Sequence, residues 1–366
     1  MSGRVAMVSI GVRRDLLAPM RHFRRHSIIH LYHHVEGPLA LDRYPTLRRY
    51  RSPRDLYRLL RRARPDIVQA VEPFSVYTQP YVWACAAAAA REAAALVVVG
   101  HQSRALERKF GRLGGAGLRS VLRPIFARAA LVAAVNDGAV ENFVRCGVPR
   151  ARIERLSWGT WGVDLDEFAP RPAGSDRPPT IAFGGRLRPE KGVFVLLAAF
   201  EDVVRSVPQA RLTLVGDGPA RRALEEDVAR RRLTHSVTIG SALPPADMPA
   251  LFRSADVVAV PSLTTRGWSE HVGMVAVQAL ACGVPVVASR SGALPEYVPD
   301  GVAGLLVPEG DAQALAGALT AVLTDDALRS RLAAGARAHA VANSDERSNI
   351  ALIEERLAQL RRPLRH

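Results

Sequence analysis

Residues Thr180-Ile-Ala-Phe-Gly-Gly-Arg-Leu-Arg-Pro-Glu-Lys-Gly192 read as a strand, a glycine turn and a helix start. Gly184 and Gly185 let backbone approach a ligand closely. Arg186 and Lys191 set two cations at the mouth of a helix, an arrangement suited to a diphosphate. No Gly-Lys-Ser/Thr follows the glycines, so this is not a Walker A loop. Further on, Val215-Gly-Asp-Gly-Pro219 ends a buried strand in a tight turn, and Gly216 and Gly218 are candidates to line a nucleotide or simply to make that turn. The most informative stretch runs from Val258 to Ala288. A strand ends at Pro261-Ser262, a loop carries Glu270, and a helix starts near Gly273 with Gln278 inside it. The helix start aims free N–H groups and partial positive charge at whatever binds there, which would stabilise a departing diphosphate without a metal. Glu270 can accept hydrogen bonds from sugar hydroxyls.

These motifs need sheets to present them. Apolar runs at 5–10, 27–31, 66–71, 95–100, 131–135 and 153–156 alternate with helical patterns, and a second series at 180–183, 211–215, 236–239, 256–260, 284–288 and 304–307 does the same. This is the rhythm of parallel sheets covered by helices. The expected organisation is a first α/β domain over 1–161, a linker over 162–178, a second α/β domain over 179–344, and a C-terminal helix over 345–366 that packs back on the first domain; the resemblance described below makes the first of these the acceptor-binding domain. Two such sheets are expected to face a cleft at their strand carboxyl ends, where ligands of open α/β sheets bind.

Composition narrows the classes. The 366 residues are 48% hydrophobic and 23% charged, which excludes wholesale disorder. Three separated cysteines (Cys85, Cys146, Cys282) exclude a disulfide framework and any C-x-x-C site and suit a reducing cytosol. No stretch is long and apolar enough to span a membrane. The net charge of +15 resides entirely in residues 1–150, with 25 Lys+Arg against 10 Asp+Glu. A basic half points to an anionic partner. Segments 13–25 and 119–128 mix arginines with Leu, Met, Phe and Ile, either as interfacial helices or as core helices with a charged outer face, and an anionic membrane surface is an expected partner of that half. Nucleic acid is not expected, because helix-turn-helix, zinc and aromatic-platform signatures are missing. The histidines His22, His26, His30, His33 and His34 have no metal-site spacing, and Asp164-x-Asp166 falls in the linker, so no metal is assigned.

Taken jointly, Gly185-Arg186-x4-Lys191, Gly216-Asp-Gly218, Pro261-Ser262, Glu270-x7-Gln278-Ala-x-Ala-Cys-Gly-Val-Pro-Val-Val and Asp300-Gly301-x2-Gly304-Leu-Leu resemble the retaining glycosyltransferases of family four, with the GT-B fold. The resemblance covers nearly the whole chain and is strongest over 159–340. It implies two Rossmann-like domains, a nucleotide-diphosphate sugar as donor substrate, no cofactor and no metal. It implies that Arg186 and Lys191 hold the donor diphosphate, and that Glu270 and the backbone of Val272, Gly273 and Met274 hold the donor sugar. Position 278 then reaches the ribose. Val97-Val-Val-Gly-His101 resembles the family's strand-end histidine near the reacting carbon, and Glu72-Pro-Phe-Ser75 resembles an acceptor-side segment, with Gly11 on the same side. His101, Glu270, Arg186 and Lys191 are the implied catalytic set.

The chain departs from the pattern in two places. Gln278 replaces a glutamate, at a cost of about 1 kcal/mol in donor binding. The loop Gly11-Val-Arg-Arg-Asp15 lacks the usual glycine pair after the first strand. The expected activity is transfer of a sugar to a hydroxyl acceptor, lipid-linked or in a cell-envelope glycan. The alternatives are a soluble enzyme acting on a small natural product, and a degenerate GT-B binding protein. The expected location is cytoplasmic, peripheral on the inner face of the membrane.

Overall fold

The computed structural model describes residues 3–37, 39–170 and 177–360. The chain divides into two compact units, one of Met1–Trp161 with Glu346–His366 and one of Gly162–Asp345.

In the first unit, strands β1 (Arg4–Val12), β2 (Ser27–Val35), β3 (Leu47–Arg49), β4 (Ile67–Gln69), β5 (Ala95–Gly100), β6 (Leu131–Ala134) and β7 (Ile153–Arg155) form one sheet in the order β3-β2-β1-β4-β5-β6-β7. Every pairing is parallel. Helices α1 (Ala18–His22), α2 (Pro53–Ala63), α3 (Gln79–Glu92), α4 (Leu106–Arg128) and α5 (Asp137–Arg145) make the crossovers. Ser52 caps α2 by accepting from the Asp55 N–H, and Asn136 caps α5 by accepting from the Ala139 N–H. The strand β5 is buried along its whole length, as a central parallel strand must be. Its Val98 joins Leu56, Val82, Leu122 and Phe143 in one core.

In the second unit, β8 (Thr180–Gly184), β9 (Arg211–Val215), β10 (Val237–Gly240), β11 (Val257–Val260), β12 (Val286–Ser289) and β13 (Gly304–Val307) lie in the order β10-β9-β8-β11-β12-β13. These pairings are parallel too. The helices are α6 (Val193–Ser206), α7 (Arg221–Arg230), α8 (Met248–Arg253), α9 (Met274–Ala281), α10 (Leu294–Tyr297), α11 (Ala312–Thr324) and α12 (Asp326–Asn343). The last helix, α13 (Glu346–Ala358), belongs to the first unit.

Several expectations need correction. Segment 13–25 is no interfacial helix. It is a 3-10 turn over Arg14–Leu17 and the five-residue α1, which stops at the extended Phe23. Beyond it, the backbone N–H groups of Arg24, Arg25 and His26 all donate to the buried Glu354 carboxylate of α13. Segment 119–128 lies in α4, where Leu122, Ile125 and Phe126 are core residues, so its main apolar face is buried. Residues 162–170, expected as linker, pack on the second unit: Val163 bridges Asp345, and Arg337 donates to the Phe168 carbonyl. The rest of that expected linker lies partly outside the described residues, as does the end of the expected C-terminal helix. Strand β3 was not expected, because Arg48-Arg49-Tyr50-Arg51 reads as a basic cluster. It forms because Leu47 and Tyr50 are buried while the arginines point outward, with the Tyr50 hydroxyl donating to the Ser9 carbonyl at 2.9 Å.

Candidate active site

In the second unit, strand β8 delivers its glycine turn at the carboxyl end of the sheet. The Gly185 N–H donates to the Val215 carbonyl, which holds the turn against β9. Arg186 follows, exposed, with no side-chain partner among the described residues. Pro189–Lys191 makes a 3-10 turn that ends at Gly192, in the left-handed region with φ +71°. Glycine is required there, since a Cβ would overlap the Pro261 carbonyl oxygen. This close approach brings Lys191 to the end of β11. The Leu263 N–H seals the junction by donating to the Glu190 carbonyl at 2.8 Å.

Lys191 Nζ lies 2.7 Å from Glu270 Oε2 and 4.6 Å from the centroid of the Trp268 ring. The Ser262 hydroxyl donates to the same Oε2 at 2.9 Å. Glu270 is only 9% exposed, and these donors meet its carboxylate in that buried position. Its backbone is also held: the Ala293 N–H donates to the Glu270 carbonyl at 3.0 Å, and Gly292, at φ +54°, packs where a Cβ would strike that carbonyl. Around this core, Ser289 Oγ donates to the Ser262 carbonyl, and the Thr264 N–H and hydroxyl both donate to Glu309 at 2.6 Å.

Glu270 leads into α9, whose N-cap is Gly273. Val272 is buried and Met274 half-buried. In the first turn of α9 the Ala276 N–H turns back to the Gly273 carbonyl at 2.8 Å, while the N–H groups of Met274 and Val275 precede any i−4 acceptor of the helix and are placed to meet an anion. Gln278 is half-buried one turn further along, with no side-chain hydrogen bond among the described residues. Gly184 is buried against Met248. Gly216 and Gly218 press on the carbonyls of Gly185 and Leu187, and Arg221 ties the turn by donating to the Gly216 and Gly240 carbonyls at 2.8 and 2.7 Å. Their immediate role is to support the turn that carries Arg186.

In the first unit, His101 lies one residue past β5. Its N–H donates to Glu72 Oε2 at 2.6 Å, and its ring Nδ1 is 2.8 Å from the same oxygen. Its Nε2 is 3.0 Å from the Trp158 carbonyl. Each ring nitrogen thus faces an acceptor, a carboxylate at Nδ1 and a carbonyl at Nε2. Asn136 Nδ2 donates to the His101 carbonyl at 2.6 Å, which fixes the backbone. Gly11, placed on the same side by the sequence, lies under Glu36, whose carboxylate occupies the space a Cβ would need. The five grouped histidines disperse: His22 meets Glu346, His26 meets Glu354, His30 meets Ser9, His33 meets the Tyr50 carbonyl and His34 meets Glu36.

The structure thus brings together Lys191, Glu270 and the start of α9, and separately His101 and Glu72. Sequence reasoning did not assign Ser262, Trp268, Glu309 or the Trp158 carbonyl to these clusters. Ser262 had a signal in the Pro-Ser motif that ends β11. Glu309 had none, because it meets Thr264 across 45 residues.

Two family models match the chain. Glycosyltransferase Family 4 matches residues 6–166, and Glycosyl transferases group 1 matches residues 166–339. A D-inositol 3-phosphate glycosyltransferase of Saccharomonospora viridis is 39% identical over 210 residues, covering 53% of this chain and 48% of that protein. A GDP-mannose-dependent alpha-(1-6)-phosphatidylinositol monomannoside mannosyltransferase of Mycolicibacterium smegmatis is 34% identical over 253 residues, covering 66% and 65%. The chain spans about half the length of most curated relatives it matches. Among solved structures, Anabaena HepE in complex with UDP shares the fold with a TM-score of 0.78 at 22% identity, over 98% of this chain and 100% of that one. Sucrose-phosphate synthase of Thermosynechococcus elongatus does so with a TM-score of 0.72 at 20% identity, over 98% and 99%. With both units matched in sequence and the whole described chain matched in fold, the chain belongs to the family 4, group 1 glycosyltransferases and has the GT-B fold.

Proposed function

We propose that the chain is a retaining glycosyltransferase that moves a sugar from a nucleotide-diphosphate sugar to a hydroxyl acceptor without a metal or resident cofactor. The observation that carries this reading is the Lys191–Glu270–Ser262 cluster at the end of β11, beside the N-terminus of α9. It offers a cation and backbone N–H groups for a diphosphate next to a carboxylate for sugar hydroxyls. The names of the relatives, with GDP-mannose as one donor, and the UDP-glucose complex of HepE support a nucleotide-sugar donor.

In this reading the bond between the anomeric carbon and the diphosphate oxygen breaks as the acceptor oxygen bonds to the same face of that carbon. The acceptor proton passes to the leaving phosphate oxygen. Arg186, Lys191 and the first turn of α9 stabilise the charge that builds on the diphosphate. Lys191 exchanges Glu270 for phosphate, and Glu270 turns to sugar hydroxyls. Gln278 accepts from one ribose hydroxyl. His101, oriented by Glu72, exchanges the Trp158 carbonyl for a hydroxyl of the transferred sugar and donates to it from Nε2. The acceptor is a lipid-linked or cell-envelope polyol, in keeping with the inositol-containing acceptors in the relatives' names.

The test is calorimetric binding of a panel of nucleotide sugars in the presence of a chelator, followed by proton NMR of the product formed with the donor that binds. Binding of one donor and an anomeric coupling equal to that of the donor support the reading. Inversion, or strict dependence on a divalent ion, overturns it.

A further inference from the structure

Trp268 stands apart in the loop between β11 and α9. The residues before it, Thr264 to Gly267, are exposed, whereas Trp268 is half-buried. The start of the loop is tied down firmly. The Leu263 N–H donates to the Glu190 carbonyl at 2.8 Å, Thr264 donates twice to Glu309 at 2.6 Å, and the Thr264 hydroxyl lies 3.1 Å from Ser291 Oγ. Its tip, Thr265-Arg-Gly-Trp268, is closed on itself. The Thr265 N–H donates to the Trp268 carbonyl at 2.8 Å, and the Trp268 N–H donates to Thr265 Oγ1 at 3.1 Å. Together these bonds fix the backbone that carries the indole.

The ring is not part of the apolar core of the second unit. Its centroid lies instead 4.6 Å from Lys191 Nζ, the nitrogen that Glu270 Oε2 meets at 2.7 Å. The ammonium therefore has an aromatic face as well as a carboxylate. In a largely desolvated site such a face is worth about tenfold in an equilibrium. The cation is also an unusual one for this chain, which has 48 arginines and only two lysines, Lys109 and Lys191. An ammonium is a compact charge on a flexible four-carbon stem. It can trade one oxygen partner for another, and for the same reason it needs holding while it does so.

We propose that Trp268 is a positioning residue for Lys191: its indole face holds the ammonium while the oxygen partner changes from Glu270 to the donor diphosphate. This rests on the transfer reaction proposed above and names the group that keeps the cation in place once the ion pair opens. Without the ring, the freed lysine recovers its rotamers, and each turnover must order it again.

The first readout needs no donor. The chain is produced with isotope-labelled lysine in a Lys109→Arg background, which leaves Lys191 as the only labelled side chain. By NMR, the ε-CH₂ protons of Lys191 are expected upfield of their ordinary position, shielded by the Trp268 ring, and back at that position in Trp268→Leu. Adding UDP or GDP with a chelator is expected to perturb the signal and leave it upfield. The second readout is release of nucleoside diphosphate from UDP-glucose and GDP-mannose. Trp268→Leu should lose about tenfold, more in kcat than in KM, because charge on the diphosphate grows toward the transition state. Trp268→Phe and Trp268→Tyr keep a ring face and should stay within about threefold of the wild type. A role in packing alone would treat Leu and Phe alike, and thermal melts confirm that each variant folds. A Lys191 signal at its ordinary position in the free protein, one that returns there when nucleotide binds, or equal rates in Trp268→Leu and Trp268→Phe overturns the proposal and leaves the transfer reaction standing. A wild type that binds neither nucleotide and cleaves neither nucleotide sugar counts against the transfer reaction itself, and the proposal falls with it.

Discussion

Lys191 Nζ lies 2.7 Å from Glu270 Oε2, across 79 residues of sequence, and the Ser262 hydroxyl shares that oxygen. The pair links the turn after β8 to the loop before α9. Both side chains are largely buried, so removing one partner leaves the other poorly compensated. Lys191→Ala and Glu270→Gln should each destabilise the protein by about 2 kcal/mol. The double variant should cost clearly less than the sum. Chemical denaturation of the four proteins in the cycle checks this, and additive losses would mean that the two groups do not interact.

Glu72 and Gly159 should matter through His101. Glu72→Gln keeps the size of the side chain but replaces an acceptor at Nδ1 with an amide. Loss of such an orienting partner typically costs about 10- to 100-fold, here in kcat with little change in KM. Gly159 sits at φ +77°, and a Cβ there would come within 2.9 Å of His101 Nε2. Gly159→Ala should displace the ring, with about 1–3 kcal/mol of backbone strain in addition. Nitrogen NMR of His101 should show a protonated Nε2 in the wild type and a changed signal in Gly159→Ala.

Gln278→Glu should tighten donor binding. A charged acceptor for the ribose hydroxyls is stronger than an amide by about 1 kcal/mol, so the gain is at most about tenfold. Donor titration of the two proteins decides this. No change would place the ribose away from α9.

Acid should destabilise the first unit through His30. Its ring is buried in β2, with Ser9 Oγ at 2.9 Å from Nε2, and burial pushes its pKa down to about 4. Between the ordinary histidine value and about 4, the unfolded chain takes up a proton that the folded one refuses. Stability is therefore full above about pH 6.5 and falls as pH drops toward 4, by about 3 kcal/mol. His30→Gln should flatten that slope in melts recorded across this range. Glu354 acts in the same direction. Although burial alone would raise its pKa, the N–H groups of Arg24, Arg25 and His26 hold its carboxyl below the usual range, so its contribution too is lost as pH falls through the depressed value.

Much of the fold is legible from local chemistry. Arg211–Val215 and Met274–Ala281 stand out because β-branched or apolar runs are closed by glycines, and the structure gives them those bounds. Strand β3 escapes because an edge strand can carry Arg48 and Arg49 and so look like a basic cluster. Segment 13–25 misleads because its residue types suit an amphipathic helix, while its conformation is set by Glu354 more than three hundred residues away. The site divides in the same manner. Lys191 and Glu270 are visible as motif residues, but their contact is not, and Glu72 gives no sign that it grips both the backbone and the ring of His101. Spacing along a chain reports helix faces and turns. Pairings between strand ends depend on sheet order.

The account rests on Lys191 and Glu270 handling the donor. The most direct measurement is release of nucleoside diphosphate from a panel of nucleotide sugars by the purified wild type, Lys191→Ala and Glu270→Gln, with chelator present. The account predicts slow release from one donor by the wild type and a loss of about 10²–10³-fold in each variant. Release that persists at the wild-type rate in both variants would contradict it.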